Sequence, residues 1–120
     1  MMALVKAIRG KAPEATVIVT AIFPRNDNPA GAPTIARINA NLAKMADGKS
    51  VRFLDVNPGL ADARGTLFEG VTVDGLHPSL KGYEIWAAGL DPILTELLGP
   101  RAASDHAPPP TGDPSASERR

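Results

Sequence analysis

The chain has 120 residues, 43% of them hydrophobic and 22% charged, with 13 basic and 13 acidic side chains and so no formal net charge. That length fits one domain at most, and the charge balance argues against nucleic acid or an anionic membrane as a partner. There is no cysteine, which excludes disulfides, thiolate metal sites and cysteine nucleophiles, and no apolar run reaches the ~20 residues that a spanning helix needs.

Ala3 to Arg9 place Leu4, Val5 and Ile8 at helical spacing, and Gly10 follows where a helix ends. The chain thus reads as beginning inside a helix, and Met1-Met2-Ala3-Leu4-Val5-Lys6 has no signal-peptide stretch. Lys11 to Glu14 is a turn. Thr16 to Phe23 is β-branched and nearly all apolar, the pattern of a strand covered on both faces. Pro24 ends it, and Arg25 to Ala32 is a polar loop. Pro33 opens a helix with Ile35, Ile38, Leu42 and Met45 on one face, and Gly48 stops it. Val51 to Val56 is the second strand, and Asn57 to His77 is mostly loop. Pro78-Ser79 opens a last helix with Tyr83, Trp86, Leu90, Ile93, Leu94 and Leu97 on its buried side; Gly99-Pro100 closes it. Residues 100–120, with four prolines between Pro108 and Pro114 and no apolar periodicity, read as a disordered tail.

Strands alternating with helices imply an α/β fold with parallel strands and crossover helices. Two strands are few for such a sheet, and each open edge calls for a neighbour or invites self-association. The expectation is therefore a domain over residues 1–99 that continues upstream.

The loop before His77 is about 20 residues long, a length that is usually functional or disordered. It leaves the C-terminal end of a strand, where open parallel sheets place their sites. It ends in Val73-Asp74-Gly75-Leu76-His77-Pro78. A histidine can take a proton from a hydroxyl nucleophile and return it to a leaving group, and a nearby carboxylate can orient the ring. Gly75 permits a tight turn between the two, and Pro78 keeps His77 out of helical geometry. A D-x-x-H also arises where the aspartate is only a turn former or helix cap. Arg25 and Asn26, at the exit of the first strand, are candidates for lining a substrate mouth. Tyr83 and Trp86 read as core, and His106 as exposed tail. Gly48-Lys49-Ser50 is not a phosphate loop, because position 43 is alanine.

The run Asp74-Gly75-Leu76-His77-Pro78-Ser79-x-x-Gly82-Tyr83-x-x-Trp86 closely resembles the last sequence block of the SGNH hydrolases, also called GDSL esterases and lipases. Phe23-Pro24-Arg25, Ile38-Asn39-x-Asn41-Leu42, Phe53-Leu54-Asp55-Val56 and Asp62-x-x-Gly65-x-Leu67-Phe68 are similar to the family's fourth strand exit, following helix, fifth strand and loop. The proline-arginine pair resembles the branch named for platelet-activating factor acetylhydrolase. The resemblance implies the C-terminal part of a three-layer αβα, flavodoxin-like fold. It further implies carboxylic-ester hydrolysis through a Ser-His-Asp triad, with Asp74 as the acid and His77 as the base. The substrate would be a small ester, an acyl group on a sugar or lipid, and no metal or organic cofactor is implied.

The departures are as informative. The family's Gly-Asp-Ser nucleophile block and the glycine and asparagine of its oxyanion hole are absent. Arg25-Asn26-Asp27 is a poor stand-in, since Pro24 occupies the glycine position. None of Ser50, Ser79, Ser104, Ser115 and Ser117 has a nucleophile's setting. Three readings stay open: a hydrolase portion whose isolated chain is inactive, a non-catalytic fragment, or a half-domain completed by another chain.

Overall fold

The computed structural model describes residues 1–104; the disordered-tail expectation for 100–120 and that for His106 fall largely outside it. In chain order the elements are α1 (Met2–Lys11), β1 (Val17–Thr20), a 3-10 turn (Pro29–Gly31), α2 (Ala32–Ala43), β2 (Val51–Leu54), α3 (Asn57–Leu60) and α4 (Leu80–Leu98). β1 and β2 pair in parallel, with Val17 opposite Val51 and Thr20 opposite Leu54.

Side chains alternate across a strand, so each face of the pair builds its own core. On one face Val19 and Val51 meet Val5 of α1 and Leu42 of α2, with Val17, Met45 and Phe53 against them. On the other, Leu54 and Ile18 meet Ile85, Trp86, Leu90 and Ile93 of α4, joined by Val56, Leu60 and Val71. Helices on both faces of a parallel pair make three layers.

Both strands are shorter than the apolar runs. Ala21 still donates its N–H to Leu54 O at 2.8 Å. Beyond that point β2 turns away: Asp55 Oδ1 accepts the Asn57 N–H at 2.9 Å, and Val56 sits at φ −102°, ψ 3°. Ile22 thus has no strand partner opposite it. α2 starts one residue before Pro33, because the 3-10 turn feeds directly into it. The long loop is less bare than its composition suggests, holding the one-turn α3 and isolated bridges Ala61–Leu67 and Thr72–Pro78.

The expected buried side of α4 is corrected in part. Tyr83, Leu94 and Leu97 are exposed, whereas Ile85 joins the core. A two-stranded sheet is too narrow to cover the whole apolar stripe of a 19-residue helix. Tyr83 instead stacks on Trp86, which meets Phe23 edge to face at 5.1 Å between centroids. Leu4, Ile8 and Ile38 are likewise exposed.

Ser79 caps α4. Its hydroxyl accepts the Gly82 N–H at 3.2 Å and donates to Gly70 O, tying the helix start to the loop. Ser79→Ala should cost about 1–2 kcal/mol, chiefly the lost cap, with the lost bond to Gly70 O adding to it. The urea denaturation midpoint measures it.

Candidate active site

Asp74 and His77 occupy one tight turn at the entrance of α4. Val73 donates its N–H to His77 O at 2.9 Å, and Ser79 donates to Val71 O at 3.0 Å. Val71 is 1% exposed and anchors the base of the turn in the core. Gly75 has φ +82°, the left-handed conformation that glycine adopts without strain. Its N–H donates to Thr72 Oγ1 at 3.2 Å.

The carboxylate of Asp74 is held on both oxygens. Oδ1 accepts the N–H groups of Leu76 at 3.0 Å and His77 at 2.7 Å. Oδ2 lies 2.6 Å from His77 Nδ1. The hydrogen bond to the His77 ring, with the backbone donors next, lowers the Asp74 pKa from its ordinary 3.8 to about 2. At neutral pH the carboxylate can only accept, so Nδ1 carries the proton. In the neutral ring Nε2 then holds the lone pair. Nε2 makes no hydrogen bond among the described residues, and the His77 side chain is 70% exposed. An oriented imidazole with an accessible basic nitrogen can relay a proton.

This arrangement has a pH signature. A depressed carboxyl pKa contributes stability above the ordinary value that is lost as pH falls through about 2. Carboxyl-carbon NMR of Asp74 should show that low midpoint, and His77→Ala should move it up toward 3.8. An unchanged midpoint in the variant would mean the ring does not bind the carboxylate.

Arg25 and Asn26 lie beside this turn. The Arg25 guanidinium forms a two-pronged pair with Asp27. That hydrogen bond holds the Asp27 carboxyl below its usual range. Arg25 lines two clefts at the C-terminal end of the sheet. One is about 700 Å³ and bordered by Pro24, Ile35, Asn39 and Arg64. The other is about 340 Å³ and bordered by Phe23, Leu76 and Trp86. Asn26 Oδ1 accepts the Leu67 N–H at 3.3 Å.

None of the described serines meets His77. Ser79, the nearest in sequence, spends its hydroxyl on capping. Among the described residues no cluster of three or more His, Asp or Glu side chains could hold a metal, and no helix is long and apolar enough to cross a membrane. Two residues with no assigned role are prominent here. Asn39 and Asn57 both grip the main chain of Ile22. The available signal was an asparagine set among the apolar positions of α2.

Comparison with known proteins places the chain in a family and a fold. A model of the GDSL-like lipase/acylhydrolase family matches residues 1–85, which include the turn of Asp74 and His77. The chain is 30% identical over 114 residues to platelet-activating factor acetylhydrolase IB subunit alpha1 of Bos taurus, covering 93% of this chain and 49% of that protein. Its Homo sapiens counterpart is 31% identical over 98 residues, with 80% and 42% covered. The fold superposes on a candidate platelet activating factor protein from Streptococcus pneumoniae with a TM-score of 0.67 and 26% identity, covering 77% of this chain and 47% of that one. A candidate acylhydrolase from Bacteroides fragilis gives a TM-score of 0.67 and 25% identity, covering 81% and 49%. The chain spans about half the length of the curated relatives it matches.

Proposed function

Since the chain belongs to the GDSL-like lipase/acylhydrolase family, we propose that Asp74 and His77 are the acid and base of a Ser-His-Asp triad that hydrolyses carboxylic esters. The observation that carries this reading is the 2.6 Å contact of Asp74 Oδ2 with His77 Nδ1, which leaves Nε2 free. In the first half-reaction a serine hydroxyl attacks the ester carbonyl while Nε2 takes its proton. The imidazolium, stabilised by Asp74, then protonates the leaving alcohol. In the second, Nε2 takes a proton from water, which attacks the acyl-enzyme and releases the acid.

The serine and the oxyanion donors come from a segment other than these 120 residues. The outer edge of β1, which among the described residues pairs only with β2, is where that segment adds as a further strand; without it, the same edge favours self-association. Arg25, at the rim of both clefts, faces the substrate. The names of the relatives, acetylhydrolases, favour short acyl esters such as an acetyl ester; an acyl group on a lipid or sugar is the substrate class proposed.

The test is an assay on p-nitrophenyl acetate. The 120-residue chain alone should show only background. The complete hydrolase, in which a Gly-Asp-Ser segment encoded upstream in frame or supplied by a second chain joins these residues, should turn over. Turnover by the purified chain that disappears in His77→Ala would overturn the proposal, because a nucleophile would then lie within it.

A further inference from the structure

The segment leaving β1 is held by side chains where a strand would ordinarily hold it. Ile22 N–H donates to Asn39 Oδ1 at 2.7 Å, and Asn39 Nδ2 donates to Ile22 O at 2.9 Å. Asn57 Nδ2 adds a third bond, to the same carbonyl, at 3.0 Å. One side-chain amide thus pairs both polar groups of Ile22, as a neighbouring peptide would. This fixes the path of Phe23, Pro24 and Arg25 toward Asn26.

Asn26 then does two things. Its main-chain N–H donates to Gly75 O at 2.8 Å. Its side-chain oxygen takes the Leu67 N–H. The turn over residues 72–77 is otherwise bonded only within itself: Val73 to His77, Gly75 to Thr72, and Leu76 and His77 to Asp74. Among the described residues, the Asn26 to Gly75 bond is the one hydrogen bond tying the tip of that turn to another part of the chain. The approach is close. A Cβ on Gly75 would lie 3.2 Å from Asp27 N and 3.5 Å from Asn26 Cβ.

We propose that Asn26 is a positioning residue for the Asp74–His77 pair: its main chain pins the tip of the turn to the exit of β1, and its side chain, clamped on Leu67, keeps that main chain in register. This rests on the reading of the pair as the acid and base of the hydrolase. The physical demand is geometric. Proton relay requires the base within hydrogen-bond reach of the nucleophile, and a misplacement of about 1 Å can cost roughly 10²-fold in rate. An exposed turn held only by its own bonds would not meet that demand. The clamp on Leu67 also sets Asn26 apart from Arg25: its carboxamide oxygen is already used and is not offered to substrate.

Two variants test this. Asn26→Ala removes the clamp, and Asn26→Asp keeps an acceptor for Leu67. In the 120-residue chain, Asp74 carboxyl NMR needs no turnover. Asn26→Ala should raise its titration midpoint from about 2 toward 3.8 as the pair loosens. In the complete hydrolase, Asn26→Ala should lower kcat by roughly 10–100-fold with KM nearly unchanged, the mark of a lost transition-state arrangement. Asn26→Asp should recover most of that loss. A rise in KM at constant kcat would make Asn26 a substrate contact and overturn the proposal. So would an unmoved Asp74 midpoint. If Asn26→Ala fails to fold by circular dichroism, Asn26→Ser, too short to reach Leu67, takes its place with the same expected and contrary outcomes. His77→Ala separates this proposal from the reading beneath it: retained turnover there would remove the acid–base role, while the NMR result would still decide what holds the turn.

Discussion

His77→Ala in the complete hydrolase is expected to lower kcat by roughly 10⁶, the scale seen when the base of such a triad is removed. Nε2 moves the proton in both half-reactions, and no other described side chain binds Asp74 Oδ2. Asp74→Asn should cost less, roughly 10⁴, and the structure explains why it costs that much. Oδ1 accepts two backbone N–H groups, so an asparagine must keep its oxygen there. Its NH₂ then faces His77 Nδ1. That forces the proton onto Nε2 and leaves the ring unable to act as a base until it turns or changes tautomer. The measurement is kcat for both variants on p-nitrophenyl acetate, with circular dichroism confirming the fold. Should Asp74→Asn prove the more damaging, or His77→Ala stay active, the roles assigned to the pair are wrong.

Gly82→Ala is expected to be the most destabilising of the conservative substitutions considered, by about 3 kcal/mol, toward the upper end for overpacking. The added Cβ would lie 2.3 Å from Val71 O and 3.1 Å from Pro78 Cβ. The first of these is backbone, and that carbonyl already accepts the Ser79 N–H at 3.0 Å. Relief requires moving the first turn of α4 away from Val71, which anchors the turn of Asp74 and His77. Stability and the placement of His77 should therefore fall together. Thermal denaturation should show a drop of roughly 10–20 °C for a domain of this size. Gly10→Ala is the control. Nothing lies within 4 Å of its Cβ position, and it sits in α1, where alanine is the better helix former. An equal loss in both variants would mean that the close approach at Val71 is not the cause.

The two carboxyl-side features of the site were legible because they are local. Asp74, Gly75 and His77 lie within four residues, so spacing alone brings the side chains together, and Gly75 alone supplies the positive φ that closes the turn. The same holds for Ser79 as a cap and for Gly99 as a helix end, with φ 85°. The parallel pairing of the two strands was also legible, since strands separated by a helix have little other choice.

What spacing could not show was how far each element is covered. Thr16 to Phe23 is one continuous apolar run, yet only Val17–Thr20 is strand, because β2 turns at Asp55 and leaves Ile22 without a partner. Tyr83, Leu94 and Leu97 fit the helical stripe but remain exposed, because burial depends on the width of the sheet beneath.

By itself, then, the sequence determined the Asp74–His77 contact, the family resemblance and the α/β class, since each rests on residues near one another in the chain. Only the tertiary structure revealed that Asn39 and Asn57 grip Ile22 and that Asn26 meets Gly75, contacts between residues 17 to 49 apart in the chain. The physical reason is that neither a side-chain amide nor a main-chain N–H outside regular structure carries a sequence signal for which distant backbone group it will satisfy. That partner is set by where the strand ends and the helix packs, and both are properties of the assembled layers.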